Sequence, residues 1–147
     1  MTEASRAGMP GARPPGGGPL SSADRFAQRL GVRLVEREVG RAVVELATGP
    51  EHCNDLGKVH GGALFSLADA ALAAASNSRP GEAVVAITGT IHFLRAAVPG
   101  ELLRAEAVEE RRGARLGSYR IVVSCDGEAV ATAIASTLLV GARPPDG

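Results

Sequence analysis

Residues 59–78 (VHGGALFSLADAALAAASNS) constrain the fold more than any other part of this chain. From Ala63 to Ala75, 11 of 13 residues are apolar and seven are Ala, and Asp69 is the only formal charge in the segment. Ala favours helix, and apolarity on every side is typical of a helix that is buried all round. The segment therefore predicts one long central helix that a sheet must cover.

The rest of the chain supplies strands for that sheet. Two short runs, VRLVERE and GRAVVELAT, meet at Gly40 and predict a hairpin. Four more strands are predicted at roughly 83–95, 101–111, 116–125 and 128–140. An Asp-Gly pair, 126–127, marks a tight turn between the last two, and the four strands together favour an antiparallel meander. The fold class predicted is α+β, with an antiparallel sheet wrapped around one long helix.

The last predicted strand has a run of small side chains on one face. Alternate positions hold alanine, at Ala129, Ala131, Ala133 and Ala135. Successive side chains of a strand point to opposite faces, so these four share one face. We expect the central helix to lie close to the sheet there.

The chain divides into a tail, one domain and a second tail. Residues 1–20 contain five Gly and four Pro and almost nothing large and apolar, which predicts a disordered segment. The domain is predicted at 21–141, and residues 142–147 form a short C-terminal tail. The domain begins with a short helix. Its predicted N-cap is Ser21 or Ser22, its predicted end is Gly31, and Phe26 and Leu30 lie on one face.

Composition excludes several function classes. The chain has 147 residues, enough for one domain, and 16 Lys+Arg balance 16 Asp+Glu, so no basic field favours nucleic acid. Two cysteines make no disulfide framework, and neither a secretion signal nor a bilayer-length apolar run is visible. We therefore expect a cytoplasmic protein with no membrane or nucleic-acid partner. There is also no GxSxG, GxGxxG or GxxxxGK[ST] motif.

Asp69 is the first candidate functional residue. A carboxylate inside an Ala-rich helix loses several kcal/mol of hydration unless it is paired or hydrated. One interpretation is structural, with the carboxylate bonded to a backbone amide or an Arg. The other is functional: Asp69 is a general base or a nucleophile whose pKa is set by burial.

The sequence His60-Gly61-Gly62 stands where loop becomes helix. Free N–H groups at a helix start carry partial positive charge, and glycines let a ligand approach the backbone, so an oxyanion can be held there. The motif alone is a weak signal, because Gly pairs before helices are common in ordinary turns. Gly61 and Asp69 are eight residues apart, about 12 Å along a helix, so one helix cannot aim both at one carbonyl. If they act together, they come from two chains of a homodimer.

Asn54 and the histidines around it leave alternatives open. Asn54 can orient a water or a reacting carbonyl, or it can bond its own loop backbone. His52, Cys53 and His60 suggest a metal site, but their spacing matches no standard zinc pattern and no fourth ligand is evident. We predict no metal and no cofactor. His60 is expected to fix the loop through a hydrogen bond.

The string N54-DLGKV-H60-G61-G62-ALFSLA-D69, with N77-S78 and IHFLRAAVPGE at 91–101, resembles the PaaI-type branch of the hotdog-fold acyl-CoA thioesterases. The resemblance runs from about residue 24 to 140. It implies a sheet around one helix, homodimers with a continuous sheet and often homotetramers, and hydrolysis of an acyl-CoA thioester at the subunit interface. Coenzyme A is then part of the substrate and not a cofactor.

The resemblance also implies roles for catalytic residues. Asp69 would activate a water or attack the thioester directly, and the two roles stay open. The Gly61 N–H would polarise the thioester carbonyl. Asn54 would help to position the water or the carbonyl from the chain opposite Asp69.

Substrate-binding roles follow in the same way. His60 and Gly62 would shape the turn at the helix start. Arg95 stands where the family commonly meets the CoA nucleotide, and Arg115 or Ser118 would reach its phosphates.

The chain departs from the family after the catalytic acid, where Ala70, Leu72 and Ala74 replace a Thr and aromatic residues. We expect a wider acyl pocket that is less suited to stacking an aryl ring, so arylacetyl or benzoyl groups and medium-chain acyl groups are all allowed. Two alternatives remain. A hotdog hydratase would need a His five residues after Asp69, where Ala74 stands, and a non-catalytic acyl-CoA sensor would bind the same ligand without cleaving it.

Overall fold

A computed structural model describes residues 21 and 24–144. In chain order the elements are α1 (Arg25–Leu30), β1 (Arg33–Glu38), β2 (Arg41–Ala47), a short 3₁₀ turn (Pro50–His52), α2 (Gly61–Ser76), β3 (Glu82–Phe93), β4 (Leu102–Arg112), β5 (Leu116–Cys125) and β6 (Glu128–Ala142). The predicted disordered tail, residues 1–20, lies outside the described residues, as do residues 145–147 of the C-terminal tail.

The six strands form one antiparallel sheet in the order β1-β2-β4-β5-β6-β3. The predicted meander is correct for β4, β5 and β6 but wrong for β3, which pairs with β6 at the sheet edge and not with β4. After β3 the chain runs past the first residues of β6, where the amides of Leu94 and Arg95 donate to the Val130 carbonyl. Consecutive strands are neighbours by default, and a local pattern cannot reveal that this connection crosses two strands.

The two predicted hairpins form for the expected reason. Gly40, between β1 and β2, has φ +75°. Asp126 and Gly127, between β5 and β6, have φ of 50° and 79°, and a type I′ turn requires a positive φ at both central residues.

Helix α1 begins later than predicted. Its N-cap is Asp24, whose Oδ1 accepts the Ala27 N–H at 3.0 Å, so the prediction of Ser21 is wrong, and Ser22 lies outside the described residues. The predicted end at Gly31 is confirmed, with φ +89°. Ala27 is buried and Phe26 is 66% exposed, whereas Leu30, which shares the face of Phe26, is half-buried and packs against the core.

Helix α2 is the predicted central helix, and it contacts all six strands. The expectation that it is buried all round is wrong for the single chain. Gly62, Phe65, Asp69 and Ala73 are exposed, and the last three, four residues apart, form one stripe along the helix. The sheet packs against other sides of the helix, and Phe65 and Asp69 of the stripe line a cavity that residues of β3 also line.

Small residues of β6 line the inner face of the sheet as predicted. Ala131, Ala133 and Ala135 are buried in the core, whereas Ala129 lies beyond a register shift between β5 and β6 and is only half-buried. Within the part of the chain that the structure describes, no helix combines the length and the apolarity needed to cross a bilayer.

Candidate active site

Asp69 lies on the exposed stripe of α2, at the edge of a largely apolar cavity of about 220 Å³. The helix contributes Phe65, Ala68 and Leu72 to the walls. The facing walls come from the sheet: residues 86–90 of β3, Ile121 of β5 and residues 133–135 of β6. The side chain is open to solvent in the single chain, so the predicted deep burial is wrong, but most of its surroundings are apolar.

The environment of Asp69 disfavours its charged form. Loss of hydration in the cavity raises the pKa of Asp69, and the negative charge of Asp24 raises it further. No hydrogen bond or ion pair to Asp69 forms among residues 24–144. The structural interpretation, a carboxylate bonded to an amide or an Arg, therefore has no support within a single chain.

The start of α2 leaves one particular amide available. The N-cap is His60, whose Nδ1 accepts the Gly62 N–H at 2.8 Å. The His60 carbonyl accepts the amides of Ala63 at 2.9 Å and Leu64 at 3.2 Å. Within the described residues the Gly61 N–H has no acceptor. Of the first-turn amides, it is the one that can bind a ligand oxygen.

Both glycines at the helix start have crowded Cα positions. A Cβ placed on Gly62 would lie 2.9 Å from His60 Nδ1 and would displace the cap. A Cβ placed on Gly61 would lie 3.1 Å from Cζ of Phe93, whose ring packs on the glycine and is 54% exposed. Glycine therefore serves both the cap and the close approach of β3 to the helix start.

Asn54 organises the loop that precedes α2. Its Oδ1 accepts the amides of Leu56 at 3.0 Å and Lys58 at 3.1 Å, which matches the local interpretation. Its Nδ2 makes no hydrogen bond within the described residues. The amide oxygen thus holds the loop while the nitrogen remains able to donate outward.

The histidine and cysteine cluster around residue 53 has structural partners. Buried His52 accepts the Gly49 N–H at Nδ1, 2.9 Å away, and its Nε2 lies 2.7 Å from the Leu30 carbonyl. Both of its ring nitrogens are therefore engaged, and it ties α1 to the loop. In residues 24–144 no three His, Cys, Asp or Glu side chains come close enough together to hold a metal ion.

Arg95 follows β3 and is already held by carboxylates. Its guanidinium lies 3.0 Å from Glu101 Oε2 and 3.5 Å from Glu128 Oε1, and it donates to the Ala96 carbonyl at 2.8 Å. Arg95 lowers the pKa of Glu101 to about 2, and the hydrogen bond from Cys125 to Glu101 raises the pKa of that thiol to about 11. This ion pair fixes the β3–β4 connection and leaves Arg95 with little uncompensated charge.

Arg115 and Ser118 lie far from Arg95 within one chain. Both are exposed near the start of β5, whereas Arg95 is near the opposite end of the same strand, next to Cys125. Seven residues of extended strand separate Ser118 from Cys125, about 23 Å. A single chain therefore does not bring the three predicted CoA contacts together.

The residues that line the cavity differ partly from those expected. Of the three positions where the chain departs from the family, only Leu72 lines the cavity, while Ala70 and Ala74 are buried elsewhere in the core. Phe65 lines it as well and was missed, although its place four residues before Asp69 on a helix signals the same face. The influence of Asp24 on Asp69 was missed too, since nothing local in the sequence shows that the two carboxylates are close.

The chain is similar to known proteins in sequence and in fold. The model of the thioesterase superfamily matches residues 56–132. The acyl-coenzyme A thioesterase PaaI of Escherichia coli (strain K12) is 40% identical over 100 residues, covering 68% of this chain and 71% of that protein. A relative from Archaeoglobus fulgidus is 41% identical over 100 residues, and the match spans 68% of this chain but only 64% of the relative.

Among solved structures, the chain is similar to the E. coli PaaI protein from the phenylacetic acid degradation operon. The TM-score is 0.79 at 36% identity, and the superposition covers 82% of this chain and 87% of that one.

Proposed function

Because this chain belongs to the thioesterase superfamily and is a hotdog-fold thioesterase of the PaaI type, we propose that it hydrolyses acyl-CoA thioesters at sites shared by two copies of the chain. Asp69 of one copy and the Gly61 amide of the other carry the reaction.

One observation supports this arrangement above all others. Helix α2 presents an amide at its start and a carboxylate eight residues later, about 12 Å away, and neither has a hydrogen-bond partner among the described residues. The two groups are too far apart to act on one carbonyl. Two copies related by a twofold axis, with antiparallel α2 helices, would oppose each amide to a carboxylate and so form two equivalent sites.

The free edge of β3 supports the same homodimer. One side of this strand pairs with β6, and no strand of the described chain pairs with the other. Its Val85, Ile87 and Phe93 side chains are 46 to 54% exposed, beside the exposed Phe65 of α2. A long apolar edge of this kind needs a cover. Pairing of β3 with its copy would continue the sheet, and homotetramers can form from such dimers.

The proposed chemistry needs only protein groups and water. In the general-base form, Asp69 takes a proton from a water whose oxygen attacks the thioester carbon. The Gly61 N–H binds the carbonyl oxygen as it gains negative charge. Collapse of the intermediate breaks the C–S bond, and the proton held by Asp69 passes to the departing sulfur, which releases CoA as the thiol together with the carboxylic acid. In the nucleophilic form, an Asp69 oxygen attacks the carbon, CoA leaves, and water hydrolyses the resulting mixed anhydride.

Physical magnitudes are sufficient for this division of roles. An oxyanion donor lowers a barrier by about 3 to 4 kcal/mol, and a placed general base contributes about 10²- to 10⁴-fold to the rate.

Asn54 is proposed to act from the chain opposite Asp69, where Nδ2 would donate to the water or the carbonyl. His60 and Gly62 keep the helix start in shape, and no cofactor takes part.

The cavity beside Asp69 is the proposed acyl pocket. An apolar cavity of about 150 Å³ can hold a benzene ring, so 220 Å³ accommodates an arylacetyl, benzoyl or medium-chain acyl group. The CoA nucleotide is assigned to Arg115 and Ser118, whose side chains are exposed. Arg95 contributes to that contact only if the nucleotide competes with Glu101 for its guanidinium.

The test is a panel of phenylacetyl-, hydroxybenzoyl- and straight-chain acyl-CoAs with a thiol reagent that reports released CoA. We expect turnover of at least one member of the panel, and loss of that turnover in Asp69→Asn. Micromolar binding without thiol release would instead identify a sensor. Hydration of an enoyl-CoA without thiol release would identify a hydratase.

A further inference from the structure

We propose that Phe65 sets the size of the acyl pocket, and that Gly89 is a glycine because the Phe65 ring lies against it. This inference rests on the proposed function, since it concerns which acyl groups the same site accepts. It assigns a specificity-determining role to two residues that the thioester chemistry itself does not use.

Phe65 is placed to touch an acyl group. It lies one helical turn before Asp69 and lines the cavity beside it. Leu72 lines the same cavity two turns further on, but Leu72 is 4% exposed and forms part of the packed wall, whereas Phe65 is 39% exposed. Of the two large apolar side chains that α2 contributes, Phe65 is therefore the one that the packing of its own chain does not fix.

Gly89 determines where that ring rests. It pairs with Ala135, whose side chain is buried and faces α2, so a side chain at position 89 would point to the same face. A Cβ added there would lie 3.2 Å from Phe65 Cζ, closer than ordinary contact. The ring thus packs on the bare backbone of β3 and spans the groove from helix to strand.

The position of the ring has a direct consequence for the substrate. With the ring against Gly89, Phe65 closes the pocket at the end toward the helix start. A smaller residue at 65 lengthens the pocket. A methyl group at 89 takes the space on which the ring rests, and in the proposal the displaced ring moves into the pocket and shortens it. The preferred acyl-chain length should therefore increase with a smaller residue at 65 and decrease with a larger residue at 89.

The experiment measures kcat/KM for acyl-CoAs of increasing chain length with wild type, Phe65→Leu, Phe65→Ala, Gly89→Ala and the Phe65→Ala/Gly89→Ala double variant. We expect Phe65→Leu and Phe65→Ala to raise the ratio of long-chain to short-chain kcat/KM by about 10-fold or more, the usual effect of one or two methylenes in a pocket. Gly89→Ala should lower that ratio by a similar factor. Adding Phe65→Ala to Gly89→Ala should restore long-chain use, since the displaced ring is then gone.

The matched control is Phe26→Leu, which removes the same atoms from an exposed Phe of α1 that does not line the cavity. It should leave the ratio unchanged. Equal effects of the Phe65 variants on all chain lengths, or a Gly89→Ala defect that persists in the double variant, would overturn the proposal.

Binding of non-hydrolysable acyl-CoA thioethers separates this proposal from the proposed function. If wild type binds the thioethers but releases no CoA from any thioester, hydrolysis is refuted. The ratio of long-chain to short-chain thioether Kd in the same variants then still decides the role of Phe65. If wild type neither binds nor cleaves any acyl-CoA, both proposals are wrong.

Discussion

Asp69 is placed where its charge costs stability. The apolar cavity raises the pKa of Asp69, so the ionised carboxylate is less stable in the folded chain than in the unfolded one. This cost is fully present above the raised pKa and is relieved as pH falls through it toward the ordinary range of an Asp. A residue that only held the fold together would not be left in this position, which favours a role in chemistry.

Replacement of this carboxylate by an amide should separate activity from stability. We expect Asp69→Asn to lower kcat by about 10²- to 10⁴-fold, because the general base or nucleophile is lost. Thermal unfolding at pH 7 should occur at a higher temperature than in wild type, with the difference shrinking as the pH is lowered. A variant that keeps near-native kcat, or that unfolds more easily at every pH, would contradict the assignment.

Asp24 offers a second test at the residue scale, since its charge is the smaller cause of the raised pKa of Asp69. Asp24→Asn keeps a good N-cap and removes the charge, so the acid limb of the pH–rate profile should move to lower pH without loss of stability. Asp24→Ala should give the same shift and also lose about 1 kcal/mol, because the cap is lost. Identical profiles for wild type and both variants would show that Asp24 does not influence the site.

At the scale of elements, one side-chain cluster holds the C-terminal end of α2 to the sheet. Glu109 of β4 accepts two hydrogen bonds from Arg79, at 2.7 and 2.9 Å, and one from the buried Tyr119 of β5 at 2.7 Å. The hydrogen bonds from Arg79 lower the pKa of Glu109, despite its partial burial. The cluster thus fixes the loop after α2 against β4 and β5, and with it the direction of α2.

Glu109→Gln should weaken this cluster. The folded pKa lies below the unfolded value of about 4.3, so the stabilisation is complete above that pH and is lost as pH falls through the folded pKa. We expect the variant to lose about 1.5 to 3 kcal/mol of unfolding free energy at pH 7 and to approach wild type in acid. Glu110→Gln is the control, because its 3.5 Å ion pair with Arg120 is exposed and should matter by less than about 0.5 kcal/mol. Equal losses of unfolding free energy in both variants at pH 7 would show that the cluster does not stabilise the fold.

At the scale of the whole molecule, the proposed sites exist only between chains. Mixing inactive Asn54→Ala with inactive Asp69→Ala should therefore restore activity, since each heterodimer contains one site with both residues intact. Random exchange gives heterodimers for half of the molecules and one intact site in two, so about a quarter of wild-type activity is expected. No recovery, with subunit exchange shown by mixed-tag capture, would refute the shared site.

Local patterns in the sequence were sufficient to predict the central helix, the strands and two hairpins. The Ala-rich run predicted α2, alternation predicted the strands, and the positive φ values at Gly40 and at Asp126-Gly127 confirm two hairpins. The motif around Gly61 and Asp69 also predicted the family. These features depend on backbone preferences and on residues close together in the chain, so a single sequence contains them.

Contacts between distant segments were decided only by the tertiary structure. The place of β3 beside β6, the open side of α2, the Phe65 ring on Gly89 and the nearness of Asp24 to Asp69 all join residues from separate elements. Each depends on which strand edges and helix faces meet when the sheet closes on α2. Periodicity identifies the face that a residue occupies, but only packing determines what that face contacts.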